Sequence, residues 1–239
     1  MYKKHQVLKE PKNSLQKLWR YLKYERLLEL INDGVLHFRH ITKMGDKWEG
    51  LLTKLTKDKL FRHEYLIYKN ADTARNATDQ YEQHKDSFYI NCWHINDYES
   101  YLMWKVYGDR GCAIQTNYER LVASFGKYPP VINGCVINYI DYERDSFDIG
   151  NIFLPVSHKD LRYRDEKEFR LLCWKPDLEK YDLPFDENGV NVRIDVNMLI
   201  DKIFINPSKN VNIKELQEQI EKNKLNCEIE ASRINNTQQ

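Results

Sequence analysis

The sequence predicts an α+β fold: a single domain with a mixed, curved or split β-sheet flanked by helices. The chain has 239 residues, of which 41% are hydrophobic, and this is enough for one large core. Segments with strand spacing alternate with amphipathic segments, but without the regular β-α-β rhythm. The sequence also lacks a Gly-rich phosphate-binding turn, so a doubly wound nucleotide-binding fold is not expected. We therefore expect one domain over residues 1–239.

The individual elements follow from local composition and apolar spacing. Strands are expected at short runs rich in β-branched and aromatic residues, and helices where apolar residues recur every three or four positions. Gly34 is the expected C-terminal stop of the first helix. Residues 51–86 are polar with scattered apolar side chains and predict a helical insertion covering the sheet. The predicted strands are 18–22, 35–39, 87–93, 111–116, 134–140, 167–174, 191–196, 202–206 and 227–231, and the other predicted helices are 25–31, 98–107, 118–125 and 212–223.

Charge, cysteine content and hydropathy narrow the possible classes of protein. Lys and Arg number 37 against 36 Asp and Glu, so the net charge of +1 gives no general reason for tight nucleic-acid binding, and only a local basic groove remains open. The five cysteines are widely spaced without a Cys-x-x-Cys pair, which favours buried free thiols and predicts no metal. Neither a signal-peptide core nor an apolar run of ~20 residues is present, so we expect a cytoplasmic protein with no membrane contact.

Residues 91–116 concentrate more uncommon and chemically useful side chains than any other segment. Asn96 and Glu99 have the spacing of a capping box and predict a helix over residues 98–107. Gly108 is expected to end that helix.

The two faces of this predicted helix differ in character. Ser100, Trp104 and Tyr107 share one face, which we expect to form the wall of a cleft for a flat ligand. Leu102 and Val106 form a second stripe that is better suited to a core. We therefore expect the Leu-Val stripe to pack and the aromatic face to stay accessible.

A second informative segment contains Glu166, Glu168 and Arg170. On a strand these side chains would line one face, because alternate residues point the same way. Two carboxylates beside a cation suit chemistry in which a sugar C1 develops positive charge, since a carboxylate stabilises an oxocarbenium-like state. The alternative is a salt-bridge ladder on a solvated strand face.

Three further positions are weaker candidates for ligand binding. Arg20 can bind a phosphate or pyrophosphate and Tyr21 can stack on a heteroaromatic ring, although Arg20 is as well explained by an ion pair at a sheet edge. Asp46 and Glu49, in a loop bounded by glycines, could bind a ribose or simply form a turn. His94 follows a strand end, where ligand sites are common, but a lone His is more often a packing residue.

Other chemistries have little support. The sequence contains no Gly-x-Ser-x-Gly, no phosphate-binding loop ending in Gly-Lys-Ser/Thr and no His-Glu-x-x-His. Residues 3–23 are basic and aromatic enough to contact RNA, although their Leu and Trp residues are equally explained by a strand.

Several of these motifs together resemble the bacterial domain-of-unknown-function family 2971, and the similarity spans nearly the whole chain. The family name implies no activity. The motifs that carry the resemblance are Leu18-Trp19-Arg20-Tyr21-Leu22, the loop 45–50, Cys92-Trp93-His94, the run 99–108, Asp165-Glu166-Lys167-Glu168-Phe169-Arg170 and the segment 203–207.

The order of an Arg or aromatic residue on the first strand, a Ser-containing aromatic element and a late Glu-x-Glu is also similar to the ADP-ribosyltransferase superfamily. This resemblance implies that Glu168 is the catalytic carboxylate and that Glu166 orients the acceptor. It implies NAD as the substrate, anchored on the first strand and stacked on aromatic side chains. The expected NAD-binding residues are Arg20, Tyr21, His94, Ser100, Trp104 and Tyr107.

The leading hypothesis is therefore an enzyme that cleaves NAD and transfers ADP-ribose to RNA, DNA or protein, in the manner of a toxin or anti-phage effector. An inhibitory antitoxin protein is an expected partner. The alternative is a non-catalytic regulatory module that binds a nucleotide or protein. An RNA nuclease is the third option, although the sequence shows neither a His pair nor a metal-binding carboxylate cluster.

Overall fold

The computed structural model describes residues 1–107, 111–206 and 211–234, and within them nine strands form one open sheet. In chain order the strands are β1 Lys17–Lys23, β2 Val35–His40, β3 Phe88–Ile95, β4 Gly111–Asn117, β5 Ile132–Val136, β6 Asn138–Ile140, β7 His158–Asp160, β8 Glu168–Trp174, β9 Gly189–Arg193, β10 Lys202–Ile205 and β11 Glu228–Ala231. Strands β6 and β7 form a separate parallel pair. In the large sheet β10 and β11 are parallel and the other pairs antiparallel. The prediction of a mixed sheet in a single α+β domain is confirmed.

The sheet divides at β3. Strand β8 pairs with β3 from Phe88 to His94, while β1 and β2 share the other edge. On that edge β1 pairs at His94 and Ile95, and β2 pairs at Tyr89 and Ile90. The two strands diverge between these points. We call this position, beside residues 91–93 of β3, the branch point of the sheet.

The helices of the described chain are α1 Tyr24–Asp33, α2 Lys54–Tyr68, α3 Ala71–Gln83, α4 Tyr101–Tyr107, α5 Tyr118–Ser124, α6 Lys175–Lys180, α7 Val196–Leu199 and α8 Ile213–Lys222. Helix α1 ends as predicted at Gly34, whose left-handed backbone (φ 64°) donates to the carbonyl of Leu30. Residues 51–86 contain α2 and α3, which begin at the caps Thr53 and Asn70 and pack against each other. None of the helices in the described residues is long and apolar enough to cross a membrane.

The two faces of the sheet bury different cores. One face packs against α1, α5, α7 and α8 through the apolar side chains of those helices. The opposite face carries two smaller apolar clusters, one around Trp19 and Trp104 and one around Phe88 and Phe153. Polar and charged side chains of β3 and β8 lie on that second face, so it holds the candidate site.

Two predicted strands are wrong in extent. The expected strand 191–196 is observed as β9 Gly189–Arg193, and Val196 begins helix α7. The expected strand 134–140 is divided into β5 and β6. The Ile137 amide donates to the carbonyl of Glu168, the first residue of β8, so the pairing with β8 ends there. Beyond this bond the chain leaves β8 and pairs with β7 instead.

The N-terminal strap, residues 1–12, covers the free edge of β5. Tyr2 forms a bridge with Ile132, and the Val136 amide donates to the carbonyl of Lys9. Leu8 is buried in the cluster around Phe88. The strap therefore satisfies backbone groups that an exposed edge strand would leave open to other chains.

We predict that Gly134→Ala lowers the free energy of unfolding by about 1–3 kcal/mol, the usual range for overpacking a core. A Cβ at this position would overlap the Tyr2 hydroxyl of the strap and the ring of Phe169. Urea denaturation measures the change. Gly45→Ala is the control, since a Cβ there meets no atom within 4 Å, and an equal loss in both variants would contradict the prediction.

Candidate functional site

A row of side chains crosses three strands on the second face of the sheet. Trp19 of β1 pairs with His94 of β3, and His94 pairs with Glu168 of β8. Directly paired residues of neighbouring strands point to the same face. The row therefore joins an aromatic cluster at one end to a charged cluster at the other.

Arg170 is the centre of the charged cluster and is fully buried. Its Nε and Nη2 donate to the two carboxylate oxygens of Glu168, at 2.6 and 3.0 Å. Its Nη1 donates to Glu49 Oε1 at 2.6 Å and to the carbonyl of Val156 at 2.9 Å. One guanidinium thus binds a strand and two loops that are distant in sequence, through a bidentate pair and two further bonds.

Lys159 is the second cation and links the buried carboxylates to a more exposed one. Its Nζ lies 2.7 Å from Glu166 Oε2 and 3.5 Å from an oxygen of both Glu49 and Glu168. It also lies 4.9 Å from the centre of the Tyr163 ring. Three carboxylates share two cations, so the cluster carries one excess negative charge.

The pKa values of Glu168 and Glu166 are shifted in opposite directions. Burial alone would raise the pKa of Glu168, but Arg170 and Lys159 lower it to about 2. Burial raises the pKa of Glu166, and Lys159 offsets only part of that effect. Glu166 is also the more accessible carboxylate, with 26% of its side chain exposed against 4% for Glu168. The two therefore suit different roles.

His94 is held in one orientation beside Glu166. Its Nδ1 lies 2.6 Å from the carbonyl oxygen of Glu166, so Nδ1 carries the proton and Nε2 is an acceptor. Burial lowers the pKa of His94, which keeps the ring neutral. Within the described part of the chain Nε2 is buried and has no hydrogen-bond partner. A buried acceptor of this kind calls for a donor from water or a ligand.

The aromatic cluster adjoins His94. The Tyr21 ring lies 6.5 Å from His94 and 5.1 Å from Trp104, both in edge contacts. The amide of Ser100 donates to the Tyr21 hydroxyl, and the Trp104 indole donates to Glu99. Tyr107 packs against this cluster as well. Tyr21, His94, Ser100, Trp104 and Tyr107 therefore converge.

The prediction for the two faces of α4 is wrong. Leu102 and Val106, expected in the core, are 45% and 60% exposed, whereas Trp104 is 3% exposed. The aromatic face packs because Trp19 and Tyr21 of β1 offer it a large apolar surface. The helix begins at Tyr101 rather than at residue 98, and its predicted end at Gly108 lies outside the described residues.

Arg20 does not join this site, contrary to the expectation of a shared cleft. It follows Trp19 on β1 and so points to the opposite face. Its Nη1 donates to the carbonyl of Cys92 at 3.2 Å, and its guanidinium lies 5.8 Å from the centre of the Trp93 ring. Cys92 is at the branch point, where β3 is paired with neither β1 nor β2. Arg20 therefore binds a backbone carbonyl at a position that these two strands leave open.

The expected alternation of Glu166, Glu168 and Arg170 is correct for two of the three residues. Strand β8 begins at Glu168, and Glu166 ends the 3-10 helix Leu161–Glu166. Lys167 between them has a left-handed backbone with φ 41°. Glu166 thus lies outside the strand, and its carboxylate contacts the charged cluster through Lys159.

Two residues of the cluster were not expected from the sequence. Lys159 lies in the short strand β7, where neither periodicity nor a motif marks it. Glu49 was weighed only as a ribose ligand or turn residue, and the structure shows it 2.6 Å from Arg170. In the sequence, the glycine-bounded loop was the signal that marked Glu49 as a candidate. A carboxylate that is buried in such a loop requires a cationic partner. No group of three or more His, Cys, Asp or Glu side chains in the described ranges is arranged to hold a metal ion.

Comparison with known proteins assigns the chain to no family. No family model matches the chain, and no curated protein matches it. The resemblances inferred from sequence motifs therefore remain predictions.

We predict that Arg170→Leu lowers the free energy of unfolding at pH 7 by about 3–5 kcal/mol, because Glu168 and Glu49 would be left buried without a full partner. Chemical denaturation with circular dichroism measures it. Arg26→Leu is the control, since the ion pair of Arg26 with Glu29 is exposed and should contribute at most about 1 kcal/mol.

The pH dependence of this difference follows from the lowered pKa of Glu168. An unfolded Glu has a pKa of about 4.3, so the stabilisation by the charged carboxylate is complete above that pH and is lost as the pH falls towards 2. The difference in the free energy of unfolding between the wild type and Arg170→Leu should therefore narrow as the pH falls over that range. A constant gap would show that Arg170 acts through packing alone.

Proposed function

We propose that this protein is an ADP-ribosyltransferase-like enzyme that cleaves NAD at the nicotinamide–ribose bond and transfers ADP-ribose to a macromolecular acceptor. The observation that carries the proposal is the position of Glu166. It is a partly exposed carboxylate, 2.7 Å from Lys159, and its backbone carbonyl orients His94 on the face that bears the aromatic cluster. A carboxylate, an imidazole acceptor and aromatic rings are the groups that this chemistry requires.

The proposal gives Glu166 the catalytic role first expected for Glu168. Both oxygens of Glu168 accept from Arg170, and the residue is only 3% exposed. A carboxylate that is buried and enclosed by Arg170 in this way is not accessible to a ribose. Glu168 instead fixes Arg170 and Lys159, and Lys159 in turn fixes Glu166, so Glu168 is a positioning residue.

The reaction breaks the bond between the ribose C1 and the nicotinamide nitrogen. The bonding electron pair stays on nitrogen, which turns the positively charged pyridinium into neutral nicotinamide. The sugar C1 becomes oxocarbenium-like, and the Glu166 carboxylate stabilises that charge. An oxygen or nitrogen of the acceptor then bonds to C1 and releases its proton to water.

His94 and the aromatic cluster supply the remaining contacts in this proposal. The Nε2 of His94 lacks a donor among the described residues and would accept a hydrogen bond from a ribose or acceptor hydroxyl. The Tyr21 ring borders the imidazole and would contact the nicotinamide ring, while the packed Trp104 holds Tyr21 in place through an edge contact. The order of these elements, the first strand, a Ser-containing or aromatic middle element and the late Glu-x-Glu, is the layout that resembles the ADP-ribosyltransferase superfamily.

A second candidate function is a non-catalytic module that binds a nucleotide or protein partner. The observation that favours it is the saturation of Glu168 by Arg170, which makes the Glu-x-Glu a structural feature. In that case Glu166 and Lys159 form a rim ion pair with no reactive role.

The test is release of nicotinamide and transfer of label from radioactive NAD to cell RNA, DNA or protein. We predict that Glu166→Gln lowers the rate at least 100-fold, as expected when a group that stabilises transition-state charge is lost. Asp165→Asn is the matched control, an exposed neighbouring carboxylate whose loss should leave the rate within about twofold.

Protein stability separates the two candidate functions. Glu166→Gln should keep the melting temperature of the wild type within a few degrees, because the side chain lies at the rim. NAD at millimolar concentration should raise the melting temperature of the wild type, since a ligand of the folded state stabilises it. A thermal shift without turnover would support the binding module. Equal turnover in the wild type and Glu166→Gln would remove the enzyme proposal.

A further inference from the structure

A groove of about 480 Å³ lies at the end of β3, on the face of the sheet opposite the candidate site. Its apolar floor consists of Ile95 at the end of β3 and Val136 at the end of β5. Its remaining wall comes from the N-terminal strap and from Gln16, just before β1. The groove is open to solvent.

The cations of this wall are available to a ligand. Lys9 and Lys12 line the groove, are exposed and form no ion pair within the described residues. The acid in the same wall, Glu10, has both oxygens engaged, one by Lys4 at 2.9 Å and one by the Tyr2 hydroxyl at 2.8 Å. The electrostatic character of the groove is therefore positive.

This local charge is part of a strong asymmetry along the chain. Residues 1–23 contain seven Lys and Arg against one Glu, a net charge of +6, whereas the whole chain carries +1. The other 216 residues therefore carry −5. All six lysines of the segment are exposed. Such a concentration of exposed positive charge beside a groove attracts a polyanion.

The groove adjoins the reactive residues along the backbone, at the end of β3. Ile95 follows His94 in β3, so its side chain points to the opposite face of the sheet. The Ile95 amide donates to the carbonyl of Lys167 at 2.8 Å, and Lys167 follows Glu166. A chain bound in the groove therefore has to pass around the end of β3 to reach His94 and Glu166. Tyr98, three residues beyond Ile95, is 79% exposed and offers a stacking surface for an unpaired base.

We propose that this groove binds the phosphodiester backbone of a single-stranded polynucleotide, through Lys9 and Lys12, and that a nucleic acid is therefore the acceptor of the ADP-ribose. The identification of an acceptor rests on the proposed function, whereas binding of the polynucleotide does not. A protein acceptor is less consistent with the groove, because two unpaired lysines over a short apolar floor match a repeating anion better than a mixed surface.

The test uses fluorescence anisotropy with a labelled 20-nucleotide single-stranded RNA and the matching DNA, in the absence of NAD. We predict that Lys9→Glu/Lys12→Glu weakens binding at least tenfold. The slope of log K against log salt should also fall by about 1.4, since each phosphate contact to a single strand contributes about 0.7. Lys214→Glu/Lys222→Glu on α8 is the control, with the same change in net charge at two exposed lysines outside the groove.

Each outcome decides the inference. Selective weakening in the groove variant supports it, and the RNA and DNA arms show which backbone is preferred. Equal weakening of polynucleotide binding in both variants would show that the effect depends on net charge alone and would overturn the inference. Wild-type protein that binds the polynucleotide no more tightly than it binds polyglutamate would also overturn it. Label transferred only to protein would overturn the acceptor assignment. A wild type that binds RNA but does not cleave NAD would refute the proposed enzyme and leave the groove intact.

Discussion

The ion pair network around Arg170 is the constraint on which the rest of the candidate site depends. A guanidinium with no exposed surface has to be neutralised and hydrogen-bonded, and only groups brought from distant parts of the chain satisfy it. Strand β8 supplies Glu168, the glycine-bounded loop supplies Glu49, and the segment before β7 supplies the Val156 carbonyl. The glycine-bounded loop and the 3-10 helix Pro155–Ser157 are thereby fixed to the sheet, and the position of Lys159 follows from theirs.

The arrangement of this face explains why only one carboxylate is accessible. The charged cluster lies between two apolar clusters, one around Trp104 and one around Phe153, and both exclude water from its sides. Glu168 and Glu49 face Arg170 within that enclosure. Glu166 escapes it because the left-handed Lys167 displaces it from the strand. A backbone irregularity of one residue thus converts a buried ion pair into a site with an exposed edge.

The sequence predicted the fold better than the site, for reasons that particular residues show. Strands and helices follow from local spacing, and Gly34 ended α1 as expected because a left-handed C-cap is a local property. The packed face of α4 was inverted, because Leu102 and Val106 look apolar in isolation while Trp104 is drawn inward by Trp19, which lies 85 positions earlier. Lys159 carries no local signal, and the glycine-bounded loop marked Glu49 only as a candidate ribose ligand or turn residue. Their pairing depends on where the loops are placed by the tertiary structure.

A buried ionic network is weak evidence for stability, since well-packed apolar residues of similar volume often stabilise a fold as much or more. Arg170, Glu168 and Glu49 therefore do something that an apolar core would not. The geometry suggests what this is: an apolar core would give Lys159 no buried counter-charge, and without Lys159 the Glu166 carboxylate would rotate freely into solvent. The network costs desolvation free energy, and it holds one carboxylate beside an oriented imidazole. We expect such a network only where the position of that carboxylate matters. This links the energetics of the core to the chemistry proposed at its rim.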